Sequence, residues 1–189
     1  MNPKKTKEFS GRANDGYIIE RFETYVDVKE MLEKYYDRST TLAKCKGCPG
    51  FALTWTCPEF DFDPADFWKQ YSQFHFIVDR VFTNGTSSFE EARERLYSEK
   101  PFYDEEMRSL EKETPGATAL AAQECVKCKK CARLAGIGCI HPEVMRYALE
   151  STGMLAVNLV KDKFGFDVLW SDGTSIPEYY LLVGGVLEK

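Results

Sequence analysis

Histidine is scarce: the chain has two, His75 and His141, so a site built on histidine acid–base chemistry is not expected. Long apolar runs are missing as well. The longest, residues 74–82 and 179–187, fall well short of the about 20 residues that a membrane-spanning helix needs. Residues 1–17 carry lysines with no apolar stretch behind them, so no secretory leader is read there, and the expectation is a soluble, cytoplasmic protein with no membrane partner. Positive charge is not in excess. Twenty-five Lys and Arg against thirty Asp and Glu give a formal charge of -5, which argues against a nucleic-acid partner, since such a partner requires a basic footprint. There is no glycine-rich phosphate loop and no G-x-S-x-G elbow. The C-x3-C-x2-C spacing of radical enzymes that use S-adenosylmethionine is also missing. Oligomeric state leaves no mark in the sequence.

Cysteine is what the chain does have: seven in 189 residues. An odd count cannot close into intramolecular disulfides alone, and a domain of this length can bury a core without them. So many thiols in a protein read as cytoplasmic point to metal.

Strand and helix signals interleave along the chain. Residues 17–25 (YIIERFETY) and 73–83 (QFHFIVDRVFT) are rich in β-branched and aromatic residues and are expected as strands; residues 27–36 follow the first as a helix. Residues 38–64 read as a loop that holds the first cysteines. Asp63-Pro64 opens a short helix. Residues 88–113 are helix-prone, with Ser88 and Glu91 at capping-box spacing, and Pro101 is expected to split them in two. His141-Pro142 opens a further helix to about residue 150, Gly153 suits a helix end, and residues 154–163 form another helix. Residues 166–170 and 178–187 are expected as a closing hairpin around Ser171-Asp172-Gly173. The fold expected is α+β or α/β, a single domain over residues 1–189 with one mixed sheet, helices, and two cysteine-rich loops at 44–58 and 124–142.

Cys125, Cys128, Cys131 and Cys139 form C-x2-C-x2-C-x7-C. Three thiolates on successive turns of a tight loop can face one point, and the fourth closes the site. A cubane takes one cysteine sulfur per iron in this way. Zinc more often takes its four ligands from two separated pairs. The spacing therefore favours a [4Fe-4S] cluster, with structural zinc or plain buried thiols as the alternatives. Gly136 and Gly138 would let the backbone approach sulfur. Cys45, Cys48 and Cys57 form C-x2-C-x8-C, one ligand short of a closed site. The fourth ligand is open between solvent or substrate, a remote residue such as His75, and a cysteine of the other loop. A Cys3His zinc site and a single site shared by both loops are further readings. His75 lies in an apolar strand and suits packing better than ligation. His141, two residues from Cys139, is placed for the shell around a cluster, with Gly138 and Lys127 beside it. Lys44, Lys46, Lys127, Lys129, Lys130 and Arg133 flank the thiols; they would favour a reduced cluster and dock an acidic redox partner, or form an ordinary solvated face.

Taken together, Lys44-Cys45-Lys46-Gly47-Cys48-Pro49, Thr54-Trp55-Thr56-Cys57-Pro58, the cysteines from Cys125 to Cys131, and Gly138-Cys139-Ile140-His141-Pro142-Glu143 resemble the predicted metal-binding proteins known as domain of unknown function 2284. Arg146, Leu149, Glu150 and Gly153 resemble the segment that follows in that family, and the resemblance covers most of the chain. Glu59 stands where the family often has a second proline, and Leu155 where it has an aspartate. The resemblance implies metal binding, with an iron–sulfur cluster as the expected form, in proteins of anaerobic bacteria and archaea. It implies no particular activity. The function expected is an iron–sulfur protein with one or two [4Fe-4S] clusters acting in electron transfer. The alternatives are a cluster enzyme with an open iron at the three-cysteine site and a zinc-stabilised interaction module.

Overall fold

The computed structural model describes residues 5–14, 16–170 and 175–189. Runs of β-branched and aromatic side chains make its strands: β1 (Lys7–Ser10), β2 (Ile18–Asp27), β3 (Gln73–Phe82), β4 (Thr118–Leu120) and β5 (Tyr179–Glu188). They form one sheet in the order β1-β2-β3-β5-β4, and every neighbouring pair is antiparallel. Side chains alternate between faces along a strand, and β3 shows the consequence. Phe74, Phe76 and Val78 enter one apolar core, whereas Ile77 and Val81 enter another on the opposite face. A strand buried on both faces reads as a nearly continuous apolar run.

Helices cover both faces. The core under Phe74 and Phe76 is closed by α1 (Val28–Lys34) through Met31, α3 (Pro64–Trp68) through Trp68, and α5 (Ala156–Phe164) through Leu159 and Phe164. The other core is closed by α4 (Phe89–Glu113) through Leu96, Tyr103 and Met107. Strands and helices thus build an α+β domain, as the sequence predicts. Gly185, at φ +151, sits where a Cβ would lie 2.0 Å from the His75 carbonyl, so β5 meets β3 only because that side chain is absent,. No helix among the described residues is long and apolar enough to cross a membrane.

Four local expectations are corrected. Residues 38–46 are not loop but a helix, α2 (Arg38–Lys46), started by the Asp37 side chain, which accepts the Thr40 N–H at 2.9 Å. Pro101 does not divide α4, which is continuous. An interior proline costs about 3 kcal/mol, but burying three large apolar side chains against the sheet contributes roughly 1.5–3 kcal/mol each, so packing wins. Residues 141–150 are not a helix. After one turn at His141, the backbone of Tyr147, Ala148 and Leu149 bonds to Ala121 and Thr56, and a short 3-10 helix, Leu149–Thr152, follows. Arg146 is drawn sideways onto Glu111 of α4, with Nε donating to Oε1 at 2.8 Å and Oε2 at 2.9 Å. Residues 166–170 are irregular, so β5 closes onto β3 and β4 rather than into a hairpin. The turn expected at Ser171-Asp172-Gly173 lies outside the described residues. Gly153, at φ +88, does end a helical turn.

Candidate metal centre

Both cysteine loops hang from the same end of this framework and clasp each other. In the first, Cys45 lies in the last turn of α2, and the Cys48 N–H donates to the Cys45 carbonyl at 2.9 Å, which makes a tight knuckle. The Ala52 N–H donates to the Cys57 carbonyl at 3.0 Å, folding Cys57 back against that knuckle. Just before it, the Thr56 carbonyl accepts from the Ala148 N–H at 3.0 Å and from the Ser151 hydroxyl at 3.1 Å. The first loop is therefore stitched to the 3-10 helix.

The second loop leaves β4 through Gln123, which has a positive φ of 54°. Cys131 begins a 3-10 helix, Ala132–Ala135, and Gly136, at φ +68, ends it. Trp55 of the first loop donates its indole N–H to the Ile137 carbonyl at 3.0 Å. Arg133 returns the contact, donating to the Ala52 carbonyl at 2.9 Å while its guanidinium lies 4.7 Å from the Trp55 ring. Cys125, Cys128, Cys131 and Cys139 line one cleft, with Trp55 and His141 in its wall. Two backbone donors point at sulfur: Lys127 N–H at Cys125 Sγ (3.5 Å) and His141 N–H at Cys139 Sγ (3.4 Å). Gly138 makes no close approach, and a Cβ there would meet open space.

Cys45 lines a separate cleft with Arg38, Phe60 and Ser151. His75 lines neither cleft. It lies on β3, bonded to Glu23 at 3.0 Å and stacked on Tyr25. His141 has Nδ1 3.5 Å from a Glu143 oxygen. Lys44, Lys46, Lys127, Lys129 and Lys130 are exposed, whereas Arg133 is committed to the clasp. Leu134, Ile137 and Ile140 are exposed beside the lysines of the second loop.

All seven cysteines are free thiols. Burial, with Glu150 and Glu124 nearby, pushes the Cys57 thiol well above the ordinary cysteine range; burial, Cys48 and Glu150 raise Cys45. Cys128 is raised by burial and by Cys125, Cys131 and Cys139, with Lys127 opposing. Each of these thiols is influenced by thiols of its own group. Among the described residues, no three histidine, cysteine or carboxylate side chains converge as closely as a single ion requires. A zinc ion draws four sulfurs to about 2.3 Å of one point, whereas a cubane takes each thiolate on a different iron. Four thiols around one cleft, two of them met by N–H donors, are a donor set that fits a cluster.

Spacing did not point to the two carboxylates beside Cys45, Cys48 and Cys57. A Cβ on Gly50 would lie 3.6 Å from Glu124 Cβ and 3.9 Å from Cys48 Sγ, so Gly50 meets both side chains; Glu124 Oε1 accepts the Tyr97 hydroxyl at 2.8 Å. Burial raises the Glu150 carboxyl to about 7, against backbone N–H groups and the charge of Lys100. Glu150 is ninety-three positions from Cys57 by numbering (150 against 57), and no local pattern links them.

A family model described as a predicted metal-binding protein (DUF2284) matches residues 32–187. No curated protein and no solved structure matches the chain.

Proposed function

Because the chain belongs to the DUF2284 family of predicted metal-binding proteins, we propose that its metal is iron, held as a [4Fe-4S] cluster by Cys125, Cys128, Cys131 and Cys139, and that the protein serves in one-electron transfer. The observation that carries this reading is the single cleft lined by those four thiols, with the N–H groups of Lys127 and His141 aimed at two of the sulfurs. A bound cluster supplies reversible one-electron chemistry and needs no catalytic side chain. The chain's own residues do the rest. Donors to sulfur and the cations of Lys127, Lys129 and Lys130 favour the more negative, reduced state. Trp55 shields one side of the cleft from water. The same lysines, beside exposed Leu134, Ile137 and Ile140, suit an acidic redox partner,. Of the other three cysteines Cys45 alone lines the neighbouring cleft; a second cluster on Cys45, Cys48 and Cys57 is the reading their spacing carries.

Iron and acid-labile sulfide measured on protein purified without oxygen test the reading. About eight of each per chain is the expected result, and about four would leave Cys45, Cys48 and Cys57 to another role. Stoichiometric zinc without sulfide overturns the iron assignment. A potentiometric titration with no reversible couple in the biological range overturns electron transfer.

A further inference from the structure

We propose that the cleft beside Cys45 binds a small organic monocarboxylate, with the Arg38 guanidinium as its anchor and the ligand's apolar body laid between α2 and Phe60. This cleft is separate from the one that the four cysteines line, and the inference holds whatever Cys45 itself binds.

Spacing along α2 builds one wall. Arg38, Thr41, Leu42 and Cys45 stand at i, i+3, i+4 and i+7, which puts them on one face of a helix, and all four line the cleft. Phe51 and Phe60 line it as well. Phe60 is held edge-on by Tyr147, with ring centroids 4.9 Å apart. A flat apolar body fits between such walls. Two hydroxyls of the lining are already engaged: Thr41 donates to the Asp37 carbonyl at 2.8 Å and Ser151 to the Ala148 carbonyl at 2.8 Å. Arg38 is different. It is half-buried, and among the described residues its guanidinium makes one hydrogen bond, to the Phe60 carbonyl at 3.3 Å, and no ion pair. A guanidinium carries several N–H donors in a fork that matches a carboxylate. Asp63, near enough to feel the charge of Arg38, is taken instead by the Tyr36 hydroxyl and the Ala65 N–H. A half-buried cation short of partners, in a cleft with apolar walls, favours an anion that can use those donors. The lining carries one cation and, in Glu59, one exposed carboxylate, so a single negative charge suits it better than a dianion.

Benzoate, benzamide and phenylphosphate are the probes, titrated by calorimetry into intact, anaerobically prepared protein. Benzoate is expected to bind wild type saturably with a Kd of about 1 mM or tighter, and the other two at least about tenfold more weakly. Arg38→Gln is expected to weaken benzoate about tenfold or more. Arg38→Lys keeps the charge without the fork and should fall between. Benzamide binding as well as benzoate to wild type overturns the proposal without any variant, as does no binding of benzoate. Phenylphosphate binding more tightly than benzoate overturns the carboxylate assignment in favour of a phosphate. Benzoate binding that is unchanged in Arg38→Gln lies elsewhere and overturns the site. Iron and sulfide are assayed on the same samples. Benzoate binding without iron supports this inference while the cluster reading fails, and iron without benzoate binding does the reverse.

Discussion

The two cysteine groups are built in opposite ways. Cys45 sits in the last turn of a capped helix, and its loop is stitched to the 3-10 helix at Leu149–Thr152, where carboxylates crowd the thiols. Cys125, Cys128, Cys131 and Cys139 lie on a loop of turns, where backbone N–H groups meet sulfur and exposed lysines and apolar side chains surround the rim. The first arrangement sets carboxylates near its thiols, of which Cys48 is exposed and Cys45 and Cys57 are half-buried; the second holds four half-buried thiols inside a rim of lysines and apolar side chains. Protein charge and hydrogen bonds set a cluster's potential, so two similar clusters placed here would differ, with the lysines of the second loop favouring reduction.

The most drastic way to break the comparison is to remove one group's thiols. Cys128→Ala is expected to cost about half the iron and the matching share of visible absorption, and Cys57→Ala the other half. Loss of all iron from either variant would mean one shared site.

Next in size is the damage to the platform beneath both groups. Arg146→Ala leaves Glu111 without its partly buried partner. Roughly 2 kcal/mol of stability should go, between the values for exposed and buried pairs. Denaturant titration would read it, and both clusters should become labile together. Trp55→Ala acts on the clasp alone, removing the bond to Ile137 and the Arg133 contact. About 1–2 kcal/mol is expected from the two interactions, with iron chelated faster from the four-cysteine cleft than from the other. Equal acceleration at both would show that the loops open as one.

The smallest effect concerns the cap of α2. Backbone and hydroxyl donors at Thr40 hold the Asp37 carboxyl down to about 2, against 3.8 for an ordinary aspartate. A depressed folded value means the stabilisation is whole above 3.8 and vanishes as pH falls through about 2,. The gap in melting temperature between wild type and Asp37→Ala should therefore be constant above pH 4 and shrink as acid is added. A gap that persisted at pH 2 would show that the cap acts through shape rather than charge.

Legibility followed locality. The strand at Gln73–Phe82 stood out because both of its faces are apolar, and Ser88 does cap α4, accepting the Glu91 N–H at 3.1 Å. Where distant contacts outweighed local preference, expectation failed. Pro101 lies inside one helix because the sheet holds it straight on either side, and residues 141–150 lost their helix to Glu111, Ala121 and Thr56. Helix α2 went unread because its sequence, RSTTLAKCK, has little apolar periodicity and owes its start to one aspartate.

The sequence by itself determined the cysteines, their two spacings and the strands at the centre, since each depends on residues close together in the chain. Tertiary structure alone decided what surrounds the thiols: the Trp55 clasp, the rim of lysines and apolar side chains, and the bonds from Ala148 and Ser151 to the Thr56 carbonyl. Those neighbours arrive from segments far apart in sequence, brought together by a sheet whose pairing no local pattern records.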